Sequence, residues 1–450
     1  MSTPLDPAAI AAETTELLQA MIRNACVNDG RPESGQEIRN ADTLEAYLDG
    51  VGLAYERVDP TPGRRSLIVR IEGSDPSAPT VCFMGPTDVV PVTATGWRHD
   101  PFGGELIDGE VWGRGAIDML NLTASMAVAT KRLAHSGFRP KGTLIFLAVA
   151  DEEAASSHGA RWLSDHEYDA IKADYVLTES GGIAMPTPAG TRVTLTVGEK
   201  GVAWRRLRIT GTPGHGSMPY YADNAVITAA EVVRRLSRYQ PKAKVDEVWK
   251  GLVKAYGFSP ELEARLSDQT CVDDAIAHID DVRTAKYVHA CTHMTFSPNV
   301  VHGGIKTNVI PDTVELDVDI RTLPGETEAD VHANLHEALG DLAHRVEVSH
   351  ISDGVSTASR FDNSFVDSLE RVVRVHYPDS KLVPRLTVGG TDARFFREKG
   401  AAAYGFGLFS AGITYEMFSS RFHGNDERID TGSLGLTTAM YAAVARDFLG

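Results

Sequence analysis

GTLIFLAVADEE, residues 142–153, is the stretch on which the fold turns. Leu144 to Ala150 is an unbroken apolar run. A strand with one wet face alternates apolar and polar residues, whereas an unbroken run marks a strand covered on both faces, as in a parallel sheet packed between helices. The run stops at three carboxylates, Asp151, Glu152 and Glu153. Open α/β sheets bind ligands just beyond the carboxyl ends of their strands, so these acids stand where chemistry is expected. Neighbours in extended chain point to opposite sides, and Glu152 and Glu153 share a site only if the chain turns there.

The same grammar extends outward. SLIVRIEG (66–73), TVCFMG (80–85) and ADYVLTE (173–179) read as strands, and LTASMAVATKRLA (122–134) reads as a helix. Alternating strands and helices predict an α/β fold, a mixed sheet with helices on both faces. Beyond residue 200 the pattern changes. VAWRRLRIT (202–210), TVELDVDIR (313–321) and RVEVSH (345–350) alternate with period two, and helical stretches lie at 225–236 and 329–342. That is a β-α-β-β-α-β order, an α+β unit with one open face. The weakly periodic, charged stretch 240–290 reads as an insertion in it. AAAYGFGLF (401–409) is expected to be the last strand of the first grammar. The expected division is therefore 1–197 with 353–450 as a catalytic domain, and 198–352 as an inserted lid and dimerisation domain.

Bulk properties narrow the function classes. The chain has 450 residues, too many for one ordinary core. Its net charge of −17 argues against a nucleic-acid partner, which needs a basic face. No apolar stretch is long enough to span a membrane. The N-terminal stretch reads as an amphipathic helix, not a signal peptide. Cys26, Cys82, Cys271 and Cys291 form no close pair, which fits a reducing cytoplasm.

Asp88, Asp118, the 151–153 acids and Glu179 each follow an apolar strand or a glycine-rich turn. Singly, each reads as a cap or turn residue. Together they would repel one another and resist ionisation unless a cation neutralised them, so the set reads as a divalent metal site. His423, in the polar turn RFHGNDE (421–427), adds a nitrogen donor. Imidazole with carboxylate is a zinc-class donor set.

These residues carry a resemblance. TDVVP (87–91), GRGAIDM (113–119), DEE (151–153), TESGG (178–182), GTPGHGSMP (211–219), TNVIPDTVELDVDIR (307–321), GGTDAR (389–394) and HGNDE (423–427) resemble, in order, the motifs of the M20 family of metallopeptidases and amidohydrolases. The resemblance implies a zinc-peptidase-like domain with an inserted lid, a homodimer through that lid, and one or two divalent metals, Zn²⁺ with Mn²⁺ or Co²⁺ as alternatives. It implies hydrolysis of an amide beside a free carboxylate, as in a dipeptidase, carboxypeptidase or N-acyl-amino-acid deacylase. By motif, Asp118 resembles a bridging metal ligand, with Glu153 and His423 on one metal and Glu179 on the other. Glu152 resembles the general base and Asp88 the acid that orients the site. His215 resembles a lid histidine that reaches a neighbouring subunit. Asn308, Arg321, Gly389, Gly390 and Thr391 resemble the groups that hold substrate. A cis peptide after Asp118 is also implied.

One position departs from the pattern. Pro86 stands where the family places a metal-binding histidine, and proline offers no donor. Asp118, Glu179 and water would leave an oxygen-only second site, better suited to Mg²⁺ or Mn²⁺ and weaker. His158 and His99 are the nearest replacements in sequence, though each reads more readily as a surface or packing residue. Two readings stay open: a hydrolase with an asymmetric metal site, and a non-catalytic homologue that binds such ligands.

Overall fold

The computed structural model describes residues 7–93, 95–187, 190–256 and 258–450. Among these, a ten-stranded mixed sheet forms the centre. Along its main path the strands run Tyr55–Val58, Ser66–Ile71, Leu144–Val149, Val81–Pro86, Tyr175–Thr178, Ala402–Gly405, Gly190–Glu199 and Thr357–Ala358. Gly181–Thr187 and Lys381–Thr387 also pair with Gly190–Glu199. Four successive members, from Leu144–Val149 to Ala402–Gly405, are mutually parallel. Their carboxyl ends therefore share one edge of the sheet, and the acids of the opening stretch sit on it.

The unbroken apolar run is buried on both faces, as its composition demands. Leu144, Phe146 and Ala148 join Val81 and Phe83 in a core with the helices Pro7–Arg23, Leu120–His135, Ser364–His376 and Thr431–Leu449. Ile145, Leu147 and Val149 join Cys82 and Met84 in a second core on the opposite face, against Leu163 and Phe396. The N-terminal helix buries Leu17, Leu18, Met21 and Ile22. AAAYGFGLF is a strand only over Ala402–Gly405. The apolar chain beyond it is irregular, and its buried N–H groups find other acceptors: Leu408 N donates to Thr437 Oγ1, and Phe409 N to the Gly182 carbonyl.

A separate antiparallel sheet has the order Thr295–Gly303, Thr313–Thr322, Gly201–Thr210, Val346–Gly354. The helices Ala225–Arg238 and Glu328–Leu339 complete the β-α-β-β-α-β order. Val314, Leu316, Val318 and Ile320 point into one core with both helices, which is why that strand alternates. The stretch 240–290 forms the short helices Glu247–Tyr256, Pro260–Leu266, Val272–Ala277 and Val282–Thr292. They pack on Val383 and Leu386 of the central sheet.

Candidate active site

The chain turns where Glu152 and Glu153 require it. Asp151 adopts a left-handed backbone at φ 65°, and Glu152–Ala154 forms a single 3₁₀ turn. Asp88, itself 1% exposed, holds this turn from behind. Its two carboxylate oxygens accept the Glu152 N–H at 3.3 Å and the Glu153 N–H at 3.2 Å. Asn28 Nδ2 donates to both Asp88 and Asp151 at 2.9 Å. Asp151 also pairs with Arg64 at 3.3 Å and accepts from His158 N, so it is a fixed structural acid. Burial, with the nearby Glu37 carboxylate, pushes Asp88 up to about 8.

On the open side of the turn, Asp118, Glu153 and His423 converge, with one donor atom of each within 4.8 Å of the others. His423 Nε2 lies 2.8 Å from Asp118 Oδ2 and 3.8 Å from Glu153 Oε2. Three backbone features deliver them: the turn after the central strand, the cis peptide Asp118–Met119, and a left-handed His423 at φ 56°. Glu179, 6% exposed, lies close enough to Glu152 for each carboxylate to disfavour the other's ionisation. Burial first, then the neighbouring acids, raises Glu152, Glu153 and Glu179 well above the usual carboxylate range. The Asp118 hydrogen bond raises the His423 imidazole. Among the described residues no arginine or lysine pairs with Asp118, Glu152, Glu153 or Glu179. Converging acids with one imidazole and no fixed cation are a donor set that fits a divalent metal.

Glu427 organises the Asp118 loop. It is fully buried and accepts the Ile117 and Asp118 N–H groups at 2.8 and 3.0 Å. Its other oxygen pairs with Arg114 at 2.6 Å, and Arg114 also reaches the His423 carbonyl at 3.4 Å. One buried ion pair thus ties the Asp118 loop to the His423 turn. Burial pushes Glu427 up to about 7 despite Arg114.

The acids open into a cavity of about 1670 Å³ between the two sheets. Arg321, Gly389, Gly390 and Thr391 line it. Arg321 is paired with Asp319 at 2.7 Å and lies 5.6 Å over the Trp204 ring. His215 and Asn308 do not line it. They sit side by side on the exposed ribbon Gly214–His215 and Val309–Ile310, where Gly216 N donates to the Asn308 carbonyl. Among the described residues His215 Nδ1 is engaged only by Ser217.

Residues 82–447 match the model of Peptidase family M20/M25/M40. The chain belongs to that family. It is 28% identical over 453 residues to the succinyl-diaminopimelate desuccinylase of Cereibacter sphaeroides, covering 99% of each chain. It is 26% identical over 378 residues to a probable carboxypeptidase S-like 2 of Dictyostelium discoideum, covering 81% of this chain and 70% of that protein. Its fold matches an M20 family metallo-carboxypeptidase from Sulfolobus solfataricus with a TM-score of 0.72 at 18% identity, over 97% and 99% of the two chains.

In this M20 chain Pro86 ends its strand without disrupting the sheet. Pairing with Leu144–Val149 continues to Pro86, whereas pairing with Tyr175–Thr178 stops at Phe83. Thr87 N donates to Val149 O, so the N–H missing one residue earlier would face the side already unpaired. Of the two histidines nearest in sequence, His158 is bound to Asp151 and His99 packs edge-on against Trp112. Asn28, Arg114, Glu427 and Asp392, the last a buried acid that accepts from Ser156 Oγ, escaped the sequence reading. Asp392 and Glu427 lie inside quoted motifs, in GGTDAR and HGNDE, and could have been found by asking which motif acids are buried. Asn28 lies in a segment with no signal.

Proposed function

We propose that this protein is a metal-dependent hydrolase of an amide bond beside a free carboxylate, acting on a small peptide or an N-acyl amino acid. The observation that carries this reading is the convergence of Asp118, Glu153 and His423 beside Glu152 on the wall of one cavity. Asp118, Glu153 and His423 would hold the principal metal. When bound, a divalent cation acidifies water and polarises a carbonyl. Glu152 supplies the chain's own chemistry: its carboxylate takes a proton from the attacking water and delivers it to the leaving nitrogen. Asp88 fixes Glu152 by its backbone, and Arg321 with the 389–391 turn holds the substrate's carboxylate and backbone.

Pro86 leaves Glu179 and Asp118 as the protein donors for a second metal, an oxygen-only pair suited to a weaker, harder ion. Residues 198–352 act in this reading as a lid and dimerisation domain. The edge strand Thr295–Gly303 supports that role, with Val300 and Val301 exposed and unpaired backbone along its outer side. His215 and Asn308 would then complete the site of a second copy. A cytoplasmic setting accords with four free cysteines and with no described helix long and apolar enough to cross a membrane.

The test is metal analysis combined with hydrolysis of dipeptides and N-acetyl amino acids under added Zn²⁺, Mn²⁺ or Co²⁺. Turnover that is lost in Glu152→Gln supports the proposal. No turnover with any ion, but turnover restored in Pro86→His, would instead mark a binding homologue.

A further inference from the structure

Arg385 is an arginine without a carboxylate. It lies on the strand Lys381–Thr387 and lines the cavity. Among the described residues no acid pairs with it. Its Nε donates to the Tyr287 hydroxyl at 3.3 Å and its Nη2 to the Tyr415 hydroxyl at 3.0 Å. Both rings also flank the guanidinium, at 5.3 and 4.8 Å. Tyr287 is itself fixed, donating to the Leu386 carbonyl at 2.9 Å. The fork has five N–H groups and phenols engage only two, so the rest remain for a ligand. Phenols orient the cation but do not neutralise it.

Pairing with Gly190–Glu199 shifts register between Arg385 and Leu386, and Arg385 lines the cavity while Leu386 lies in the core. Arg321, by contrast, already has Asp319. Tyr415 begins the helix Tyr415–Arg421, which ends two residues before His423. Arg385, Tyr415 and His423 all line the same cavity, so the guanidinium and the metal-ligand cluster face one space.

We propose that Arg385, braced by Tyr287 and Tyr415, is a subsite for a second anionic group of the substrate, distinct from the carboxylate beside the scissile bond. The subsite rests on the hydrolase reading for its use in turnover, and it takes a carboxylate from either a dicarboxylic acyl group or an acidic side chain. A guanidinium–carboxylate contact that replaces hydration distinguishes charged from neutral isosteres by about 10- to 100-fold.

The experiment compares isosteric pairs: N-succinyl-alanine against N-butyryl-alanine, and N-acetyl-glutamate against N-acetyl-glutamine. In the wild-type protein the kcat/KM ratio of charged to neutral substrate is expected to exceed tenfold for one pair, which identifies the source of the carboxylate. In Arg385→Met that ratio should fall at least tenfold. Arg385→Gln repeats the measurement if the methionine variant does not fold. Calorimetric titration with glutarate reads the subsite without turnover, and its affinity should drop at least tenfold in the same variants. An unchanged ratio with unchanged glutarate affinity overturns the subsite. Absence of turnover with every substrate, alongside glutarate binding that depends on Arg385, would sink the hydrolase reading and leave the subsite standing.

Discussion

Glu152 and Glu427 are both buried acids of this site, and they serve it in different ways. Glu152 faces the cavity and its proposed proton transfer is direct. Glu152→Gln keeps shape and hydrogen bonding but cannot accept a proton, so kcat should fall by about 10²- to 10⁴-fold with metal content retained. Glu427 touches no ligand and positions Asp118 through two backbone N–H groups. Glu427→Gln should leave the fold intact by circular dichroism and weaken metal binding by about 10- to 100-fold, read by chelator competition. Retained affinity would show that the Arg114 pair is only structural. The difference also explains what could be read early. Glu152 stands one residue beyond a seven-residue apolar run, and a carboxylate in that position is conspicuous. Glu427 acquires its role from a contact with backbone 309 residues away in sequence, and Asn28 from one with Asp151, which no local pattern encodes.

At the scale of elements, buried strands were legible, down to the four residues Tyr175–Thr178, and irregular apolar chain and the short helices of 240–290 were not. Leu144–Val149 and Val81–Pro86 announce themselves because both faces must be apolar. The helices between 240 and 290 are short, and their apolar residues answer to the central sheet, so their periodicity is broken. The apolar run at 401–409 misled for a related reason, since burial dictates composition whether or not the chain is a strand. Its glycines serve close approach: a Cβ on Gly405 would lie 1.8 Å from the Glu179 carbonyl and 2.3 Å from that of Ser180. Gly405→Ala must push back the turn that presents Glu179. It should destabilise the protein by about 1–3 kcal/mol, measured by urea unfolding. It should also lower kcat/KM by up to about 100-fold, since a displacement near 1 Å suffices for that. Loss of stability with full activity would mean that Glu179 is dispensable.

At the scale of the whole molecule, the acids are held buried against their preference for water. Asp88, Asp392 and Glu427 are raised to about 8, 7 and 7, each mainly by burial. An acid whose pKa is higher folded than unfolded favours the folded state below the unfolded value, and that favour is lost as pH rises through the folded value. Metal-free protein should therefore lose stability between about pH 4 and 8, with a falling melting temperature. Bound metal should flatten the trend, and a flat profile in chelator would contradict the charge cluster. The lid poses the other question of this scale. His215 is exposed and lies outside its own chain's cavity, so its proposed role requires a second copy. In a two-fold dimer each lid would serve the opposite site. Glu152→Gln and His215→Ala should each be inactive alone. Mixed and allowed to exchange, half of the dimers are hybrids, and each hybrid has one site with both an intact Glu152 and an intact partner histidine. Activity should return to about a quarter of the wild-type level. No recovery after proven subunit exchange would confine His215 to its own chain, and the exposed ribbon would then need a different use.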